Sequence, residues 1–395
     1  MSIVSQVSWS AELLAYDFGP THPMSPLRLD MTMRLLRELG VVTGPMVRLV
    51  GSGVAGRDLL EIVHEPAYVD AVIDASRGGV VDEVRGLGTD DTPGFALMHE
   101  AAARMTQATV DAADAVWRGD ALHAVNLSGG MHHAMPGAAS GFCVYNDAAV
   151  AIRRLLDQGA SRVMYVDVDA HHGDGVEAVF WDDPRVLTVS IHQSGATLFP
   201  GTGFATDVGG PRALGTAVNV ALPPRTGSAQ WLRALDAVLP EVARAFGPDV
   251  IFSQHGCDAH ALDVLSDLRV SVAAQRRAAM MIHDLAHELC QGRWVALGGG
   301  GYSVIDVVPL VWAHVVAIAS HVPLECDQPT PPQWRAFIEV MLDHEPPLTL
   351  GDGGESDQFT AWSAGWDPAD EVDRAIRATR LAVFPHVGVD TSLDL

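Results

Sequence analysis

The chain is short of cysteine, of basic residues and of aromatics, and each shortage narrows the reading. Its 395 residues hold four cysteines, Cys143, Cys257, Cys290 and Cys326, and none forms a C-x-x-C pair. A disulfide framework or cysteine-built zinc ribbon is excluded, and reduced thiols in a cytoplasmic protein are expected. Lys and Arg number 25 against 49 Asp and Glu, a formal net charge of −24. Such a surface repels nucleic acid and anionic membrane; it suits cationic partners, or simply solubility. No basic region followed by an apolar run opens the chain, so no signal peptide is expected. The longest apolar stretch, roughly Val307 to Leu324, contains His314, His321 and two prolines. It reads as a buried helix and not a membrane span. Internal repeats and low-complexity linkers are lacking. So are a G-x-x-x-x-G-K phosphate loop and a G-x-S-x-G nucleophile elbow, which makes covalent catalysis the weaker reading.

What is present is a large apolar fraction, 48%, dominated by Ala, Val, Leu and Gly, enough for a sizeable core. A short alternating piece (Ile3, Val4, Val7, Trp9) comes first. A rigid Thr21–Leu29 loop follows, its Pro23 and Pro26 leading into a helix near Leu29. Helical spacing from Asp58 to Ser76 is broken by Pro66, and an Ala-rich helix spans about Ala96 to Trp117. Strand-like runs occur at His123–Leu127, Val163–Val168, Val186–Ile191, Ala217–Leu222, Val250–Ser253 and Trp294–Leu297. Helical segments at Asp147–Gln158, Trp231–Ala245 and Ser271–Gln291 separate several of them. The pattern predicts an α/β fold with an open, mostly parallel sheet flanked by helices on both faces. Residues 1–325 read as the catalytic domain. Residues 326–395, with acidic clusters from Glu345 to Asp357 and a short helix near Ala369–Leu381, read as an extension packed on it or trailing from it.

In such sheets ligands bind beyond the carboxyl ends of the strands. The chemically loaded residues fall there: S-G-G-M-H-H after Leu127, D-A-H-H-G-D-G after Val168, Q-H-G-C-D-A-H after Ser253 and G-G-G-G-Y after Leu297. Asp169, His171 and Asp258 offer two oxygens and one nitrogen to a divalent metal and leave a position open for water. His172, His255 and His260 compete for a ligand role. His132 and His133 follow Gly129 and Gly130, which let the chain bend and turn both rings into a cleft. They suit a general base and general acid, with Asp167 and Asp174 left to orient one histidine each. Tyr302 can donate to a developing oxyanion. The glycines before it, Gly298–Gly301 with Gly300 among them, allow close backbone approach to a substrate channel. Arg28 reads as loop-anchoring or as part of the chemistry.

Taken together, HPMSPLR, LGTDDTP, SGGMHHAMPGAASGFCVYND, YVDVDAHHGDGVEAVF, TVSIHQ, LFPGTG, GCDAH and LGGGGY, from about Thr21 to Tyr302, resemble the zinc-dependent histone deacetylase family with its arginase-like fold. The GCDAH form is similar to the bacterial acetoin-utilization (AcuC-type) deacetylases. The resemblance implies Zn²⁺ on Asp169, His171 and Asp258, with Fe²⁺ as the other ion to consider. It implies His133 as base and then acid with Asp174 behind it, His132 paired with Asp167, and Tyr302 on the substrate carbonyl. It further implies Asp91 at the rim, Gly141, Phe142 and Phe199 lining a channel for a lysine chain, and Arg28 beneath the site near the acetate product. A structural K⁺ would draw on Asp167, Asp169, His171, Ser190 and the Ile191 carbonyl.

The implied activity is hydrolysis of N6-acetyl-lysine in proteins with release of acetate. Acetyl-CoA synthetase is a target by family resemblance alone. An acetylated polyamine is the rival substrate, and a non-catalytic acyl-lysine binding module is the rival of another class. An arginase-type binuclear hydrolase is weaker, because it needs more bridging aspartates than the sequence offers.

Overall fold

In the computed structural model, which describes residues 4–78, 81–353 and 357–394, eight strands form one sheet. They are β1 Ser5–Ser8, β2 Val47–Val50, β3 His123–Asn126, β4 Val163–Asp167, β5 Val186–Gln193, β6 Ala217–Leu222, β7 Val250–Gln254 and β8 Trp294–Leu297. Their order is β2-β1-β3-β8-β7-β4-β5-β6, and every neighbouring pair is parallel. The helices among the described residues are α1 Leu27–Glu38, α2 Arg57–Leu60, α3 Pro66–Ala75, α4 Met98–Arg118, α5 Asp147–Asp157, α6 Asp174–Phe180, α7 Ser228–Phe246, α8 Val272–Cys290, α9 Val308–Ala319, α10 Pro332–Leu342 and α11 Glu371–Val387.

Strand alternation explains why both faces are covered. On β4, Met164 and Val166 join a core that contains Trp231 and Leu235 of α7, Ile282 of α8 and Val311 of α9. Val163 and Tyr165 point the other way, into a core with Val116 of α4 and Ile152 of α5. The α/β sheet flanked on both faces is therefore present, and it is wholly parallel. All six expected strands occur, with β5 running two residues further, to Gln193.

Two strands escaped the pattern. Of the opening alternating piece, Ile3 lies outside the described residues, and β1 itself buries Ser5, Gln6 and Ser8. Ser5 Oγ is satisfied by Ser320 Oγ at 2.8 Å. β2 is a half-exposed edge whose V-R-L-V carries no continuous apolar run. Pro66 does not break a helix but starts α3, where its missing N–H costs nothing. The apolar stretch after Val307 is α9, buried along almost its whole length. No helix among the described residues is long and apolar enough to cross a membrane.

Residues past Cys326 join the main core through Trp334, Ile338, Trp362, Ile376 and Phe384. The sequence reading had no helix at α10, whose Trp334 Nε1 donates to the Met31 carbonyl of α1 at 3.0 Å. Helix α11 is longer than the expected Ala369–Leu381. It is tied to α7 by Arg233, whose Nε and Nη2 donate to the two Asp373 oxygens at 2.7 and 3.1 Å. Of the acidic Glu345–Asp357 stretch, residues 354–356 lie outside the described residues.

The order of the strands positions the chemistry. β3, β8, β7 and β4 are consecutive in the sheet, so their carboxyl-end loops emerge side by side. These are the four loops that carry the histidine, aspartate and glycine motifs.

Candidate active site

β4 ends at Asp167, and the chain then turns through Asp169 and His171 before α6 begins at Asp174. Asp258 arrives from the loop after β7. His171 Nδ1 lies 3.1 Å from Asp169 Oδ1 and 3.0 Å from Asp258 Oδ2. One donor atom from each residue falls within 4.8 Å of the others. Backbone and amide donors lock the carboxylates. Ala170 N–H donates to Asp258 Oδ1 (2.8 Å), while Gln254 Nε2 (2.7 Å) and Gly300 N–H (2.9 Å) donate to Asp169 Oδ2.

Both carboxylates are fully buried, and burial beside Asp169 pushes Asp258 up to about 7. Burial opposes charge on His171, but the two carboxylates outweigh it and raise the imidazole well above its usual range. Two buried carboxylates and one nitrogen facing a common point form a donor set that a divalent cation would satisfy. The group therefore fits zinc or ferrous iron. The three competing histidines are committed elsewhere. His172 contacts Thr202 Oγ1 (2.9 Å) and Glu177 (3.2 Å), His255 contacts Ser253 Oγ (2.7 Å), and His260 contacts Asp352 (2.7 Å).

His132 and His133 sit with ring centres 4.0 Å apart, in the loop after β3. Asp147, at the start of α5, holds that loop by accepting the N–H of Gly130 (3.0 Å) and of Met131 (2.8 Å). Gly130 adopts φ +91° and packs against the Gly298–Gly299 backbone, where a β-carbon would collide. His132 Nδ1 is 2.8 Å from Asp167 Oδ2, and His133 Nδ1 is 2.6 Å from Asp174 Oδ1. Burial opposes charge on His132, but Asp167 and Asp169 outweigh it and lift the imidazole to about 9. Burial and the neighbouring His132 push His133 down to about 4. The pair is thus split into one cationic and one neutral ring, an arrangement suited to distinct roles.

These groups open onto a cavity of about 260 Å³ lined by His132, His133, His171, Tyr302, Phe142 and Phe199, among others. Phe199 stacks edge-on against His133 at 5.0 Å, and Phe142 against Tyr302 at 5.7 Å. Gly141, at φ +50°, passes so close to the His133 ring that no β-carbon fits. Asp91 is exposed and lines the mouth. Burial, followed by the charges of Asp258 and Asp169, keeps the Tyr302 phenol well above its ordinary pKa and so protonated. Arg28 is buried beneath the glycine run and donates to the carbonyls of Gly299 (2.8 Å) and Gly301 (3.2 Å), with its guanidinium over Trp312. Asp167 and Ser190 are register partners on β4 and β5, and Ser190 Oγ contacts His192 Nδ1 at 2.8 Å.

Sequence reading passed over Gln254, Asp147 and Asp263, whose carboxylate accepts the Tyr302 N–H at 2.7 Å. Gln254 and Asp263 flank Asp258 within nine residues, and Asp147 closes the G-F-C-V-Y-N-D segment. Polar residues that close to a motif were the available signal.

Comparison with known proteins agrees with this geometry. A histone deacetylase domain model matches residues 22–319. The acetoin utilization protein AcuC of Bacillus subtilis (strain 168) is 43% identical over 310 residues, 78% of this chain and 80% of that one. Its counterpart in Staphylococcus xylosus is 36% identical over 310 residues, again 78% and 80%. The crystal structure of an HDAC homolog from Aquifex aeolicus superposes with a TM-score of 0.83 at 26% identity, over 95% of this chain and 100% of that one. An HDAC homolog complexed with SAHA gives 0.81 at 27% identity, over 95% and 99%. By domain match, by likeness over most of its length and by architecture, the chain belongs to the histone deacetylase family, among its AcuC-type deacetylases.

Proposed function

We propose that the protein hydrolyses the acetyl amide of N6-acetyl-lysine in proteins, as a zinc-dependent enzyme of the cytoplasm, and releases acetate and the free amine. One observation carries the reading. A single cavity, walled by the rings of Phe142 and Phe199, has the histidine pair, Tyr302 and His171 along its lining, and His171 is grouped with Asp169 and Asp258 just behind it. Two phenyl faces suit a run of methylenes.

Zn²⁺, or Fe²⁺, on Asp169, His171 and Asp258 would supply Lewis acidity toward the acetyl carbonyl and lower the pKa of a water. His133, neutral and held through Nδ1 by Asp174, takes the attacking water's proton at Nε2. Tyr302 donates its hydroxyl hydrogen to the oxygen that becomes the oxyanion. His132, paired with Asp167, holds the second imidazole against the site. His133 then returns its proton to the departing lysine nitrogen, and acetate leaves. Asp91 accepts hydrogen bonds from the substrate main chain at the mouth. Arg28 fixes the carbonyls before Tyr302 and sits near the acetate product. A potassium ion drawing on Asp167, Asp169, His171, Ser190 and Ile191 would brace the β4 and β5 ends.

A second reading keeps the same chemistry on an acetylated polyamine. The net charge of −24 and the exposed Asp91 at the mouth favour a polycation. The test is acetate release by the zinc-loaded protein from an acetyl-lysine peptide and from an acetylpolyamine, side by side. Preference for the peptide supports the protein-lysine reading, and preference for the polyamine replaces it. Release from neither, with metal bound, would point to another acyl group or to an acyl-lysine binding module.

A further inference from the structure

The other end of the sheet carries a second convergence of imidazoles. His123 is the first residue of β3, at the opposite end of that strand from the loop of His132 and His133. His283 and His287 lie one turn apart on α8, and His321 follows α9. Their Nε2 atoms meet. The separations are 3.1 Å for His123–His321, 3.2 Å for His283–His321, 3.1 Å for His283–His287 and 3.3 Å for His123–His287. Donor atoms of all four lie within 4.8 Å of one another. A tetrahedral ion with metal–nitrogen bonds of about 2.0–2.1 Å sets its ligand nitrogens about 3.3–3.4 Å apart. Four of the six edges already lie close to that length.

Packing alone does not explain the arrangement. Each Nε2 bears either a proton or a lone pair, directed outward in the plane of its ring. Two protons could pair the four rings two by two, but each Nε2 here faces two others at nearly equal distance, 3.1–3.3 Å, instead of one close partner. Four lone pairs facing one point are satisfied by a cation. His283 Nδ1 lies 3.3 Å from Asp284 Oδ1, a partner that holds the proton on Nδ1 and leaves Nε2 free to bind. His321 sits at φ +54°, a left-handed conformation that a residue with a β-carbon rarely adopts, and this turn delivers its ring to the group. Trp294 walls one side, 5.7 Å from the His123 ring and 5.6 Å from that of His283. His287 and His321 are exposed, which gives an ion a way in.

We propose that His123, His283, His287 and His321 form a second metal site, distinct from Asp169–His171–Asp258, for a tetrahedral divalent transition ion such as Zn²⁺. Four neutral nitrogen donors select the zinc, copper and nickel group over magnesium or calcium. Four protein ligands leave no open position, so the site is structural. It staples the start of β3, the C-terminal half of α8 and the chain after α9.

The test is metal content after saturation with Zn²⁺ and removal of excess, comparing the parent with His287→Gln and with the double variant His283→Gln/His287→Gln. The parent is expected to hold one more equivalent than either variant, whatever the catalytic group holds. Deacetylase kcat should stay within about twofold. The Co²⁺-loaded parent should show tetrahedral, all-nitrogen absorption that the variants lack. Equal metal content in parent and variants at micromolar free Zn²⁺ overturns the proposal. So does an equivalent lost together with activity, which would trace the loss to the catalytic group. Should the variants not fold, anomalous scattering at the zinc edge from Zn²⁺-soaked parent crystals gives the answer. A peak among the four Nε2 atoms supports the site, and none there overturns it.

Discussion

Replacing Tyr302 by Phe removes one oxygen from the proposed active-site cavity and little else. The ring keeps its edge-on contact with Phe142, centred 5.7 Å away. The backbone N–H keeps its 2.7 Å bond to Asp263, and Arg28 keeps its hold on Gly299 and Gly301. The variant should therefore fold, bind metal and bind substrate as the parent does. The hydroxyl matters when the carbonyl oxygen takes on charge, and loss of one preorganised oxyanion donor lowers kcat by about 10²–10³, or about 3–4 kcal/mol. KM should stay within about threefold, since the contact strengthens only in the transition state. The assay is acetate release from an acetyl-lysine peptide across a range of concentrations, with metal content measured on the same samples. A kcat within about threefold of the parent, at equal metal content, would remove Tyr302 from the mechanism.

Three further perturbations probe other parts of the molecule. Gly300→Ala places a β-carbon against the Asp258 and Asp169 carboxylates. It should weaken metal retention at least tenfold in a chelator competition, and unchanged retention would show that the loop yields freely. Arg233→Met takes the guanidinium from buried Asp373, which keeps the Asp367 N–H, and from the carbonyls of Thr360, Ala361 and Gly365, of which Ala361 keeps the Ala364 N–H. The cost should be about 3–5 kcal/mol in urea unfolding, and a loss below about 1 kcal/mol would mean α11 is not held by this pair. His314 is buried and donates through Nε2 to the Leu350 carbonyl, and burial pushes it down to about 4 from an unfolded value of 6.5. The unfolded chain therefore binds the extra proton between those values. This contribution to stability is complete above pH 6.5 and is lost as pH falls toward 4, at about 1.4 kcal/mol per unit. His314→Gln should lower the slope of that limb by up to about 1.4 kcal/mol per unit, with His64 and His255 keeping their own share, and an unaltered slope would refute the assignment.

How far the sequence could be read depended on what surrounds each residue. β4, β5, β7 and β8 are buried on both faces, so they appear as unbroken apolar runs. β1 lies inside the sheet yet is built from Ser5, Gln6 and Ser8, and β2 is an edge, so neither shows that pattern. The residues that face the cavity were legible because four consecutive strand ends carry dense, unusual motifs. Gln254, Asp147 and Asp263 were not, because they act on backbone N–H groups or on other carboxylates, contacts that leave no spacing rule. Helix α10 has no motif and opens on a Pro-Pro step, with Pro331 just before it and Pro332 at its first position, which hides a helix start. The four-histidine cluster joins residues up to 198 positions apart, and only the i, i+4 pair on α8 could have been noticed beforehand.

The docking of α11 makes the two rims of the sheet unequal. Thr379 Oγ1 donates to the Asn219 carbonyl of β6 at 2.5 Å, so the outermost strand on that side already spends part of its outward-facing backbone on the helix. Among the described residues no helix hydrogen-bonds to the opposite rim, β2, and Arg48 and Leu49 stand exposed along it. Another chain seeking to extend the sheet would meet a helix at one margin and a short, charged strand at the other. A guanidinium on a four-residue edge discourages strand addition. The last segment of the chain thus does more than thicken the core: it leaves the sheet with one short border to guard.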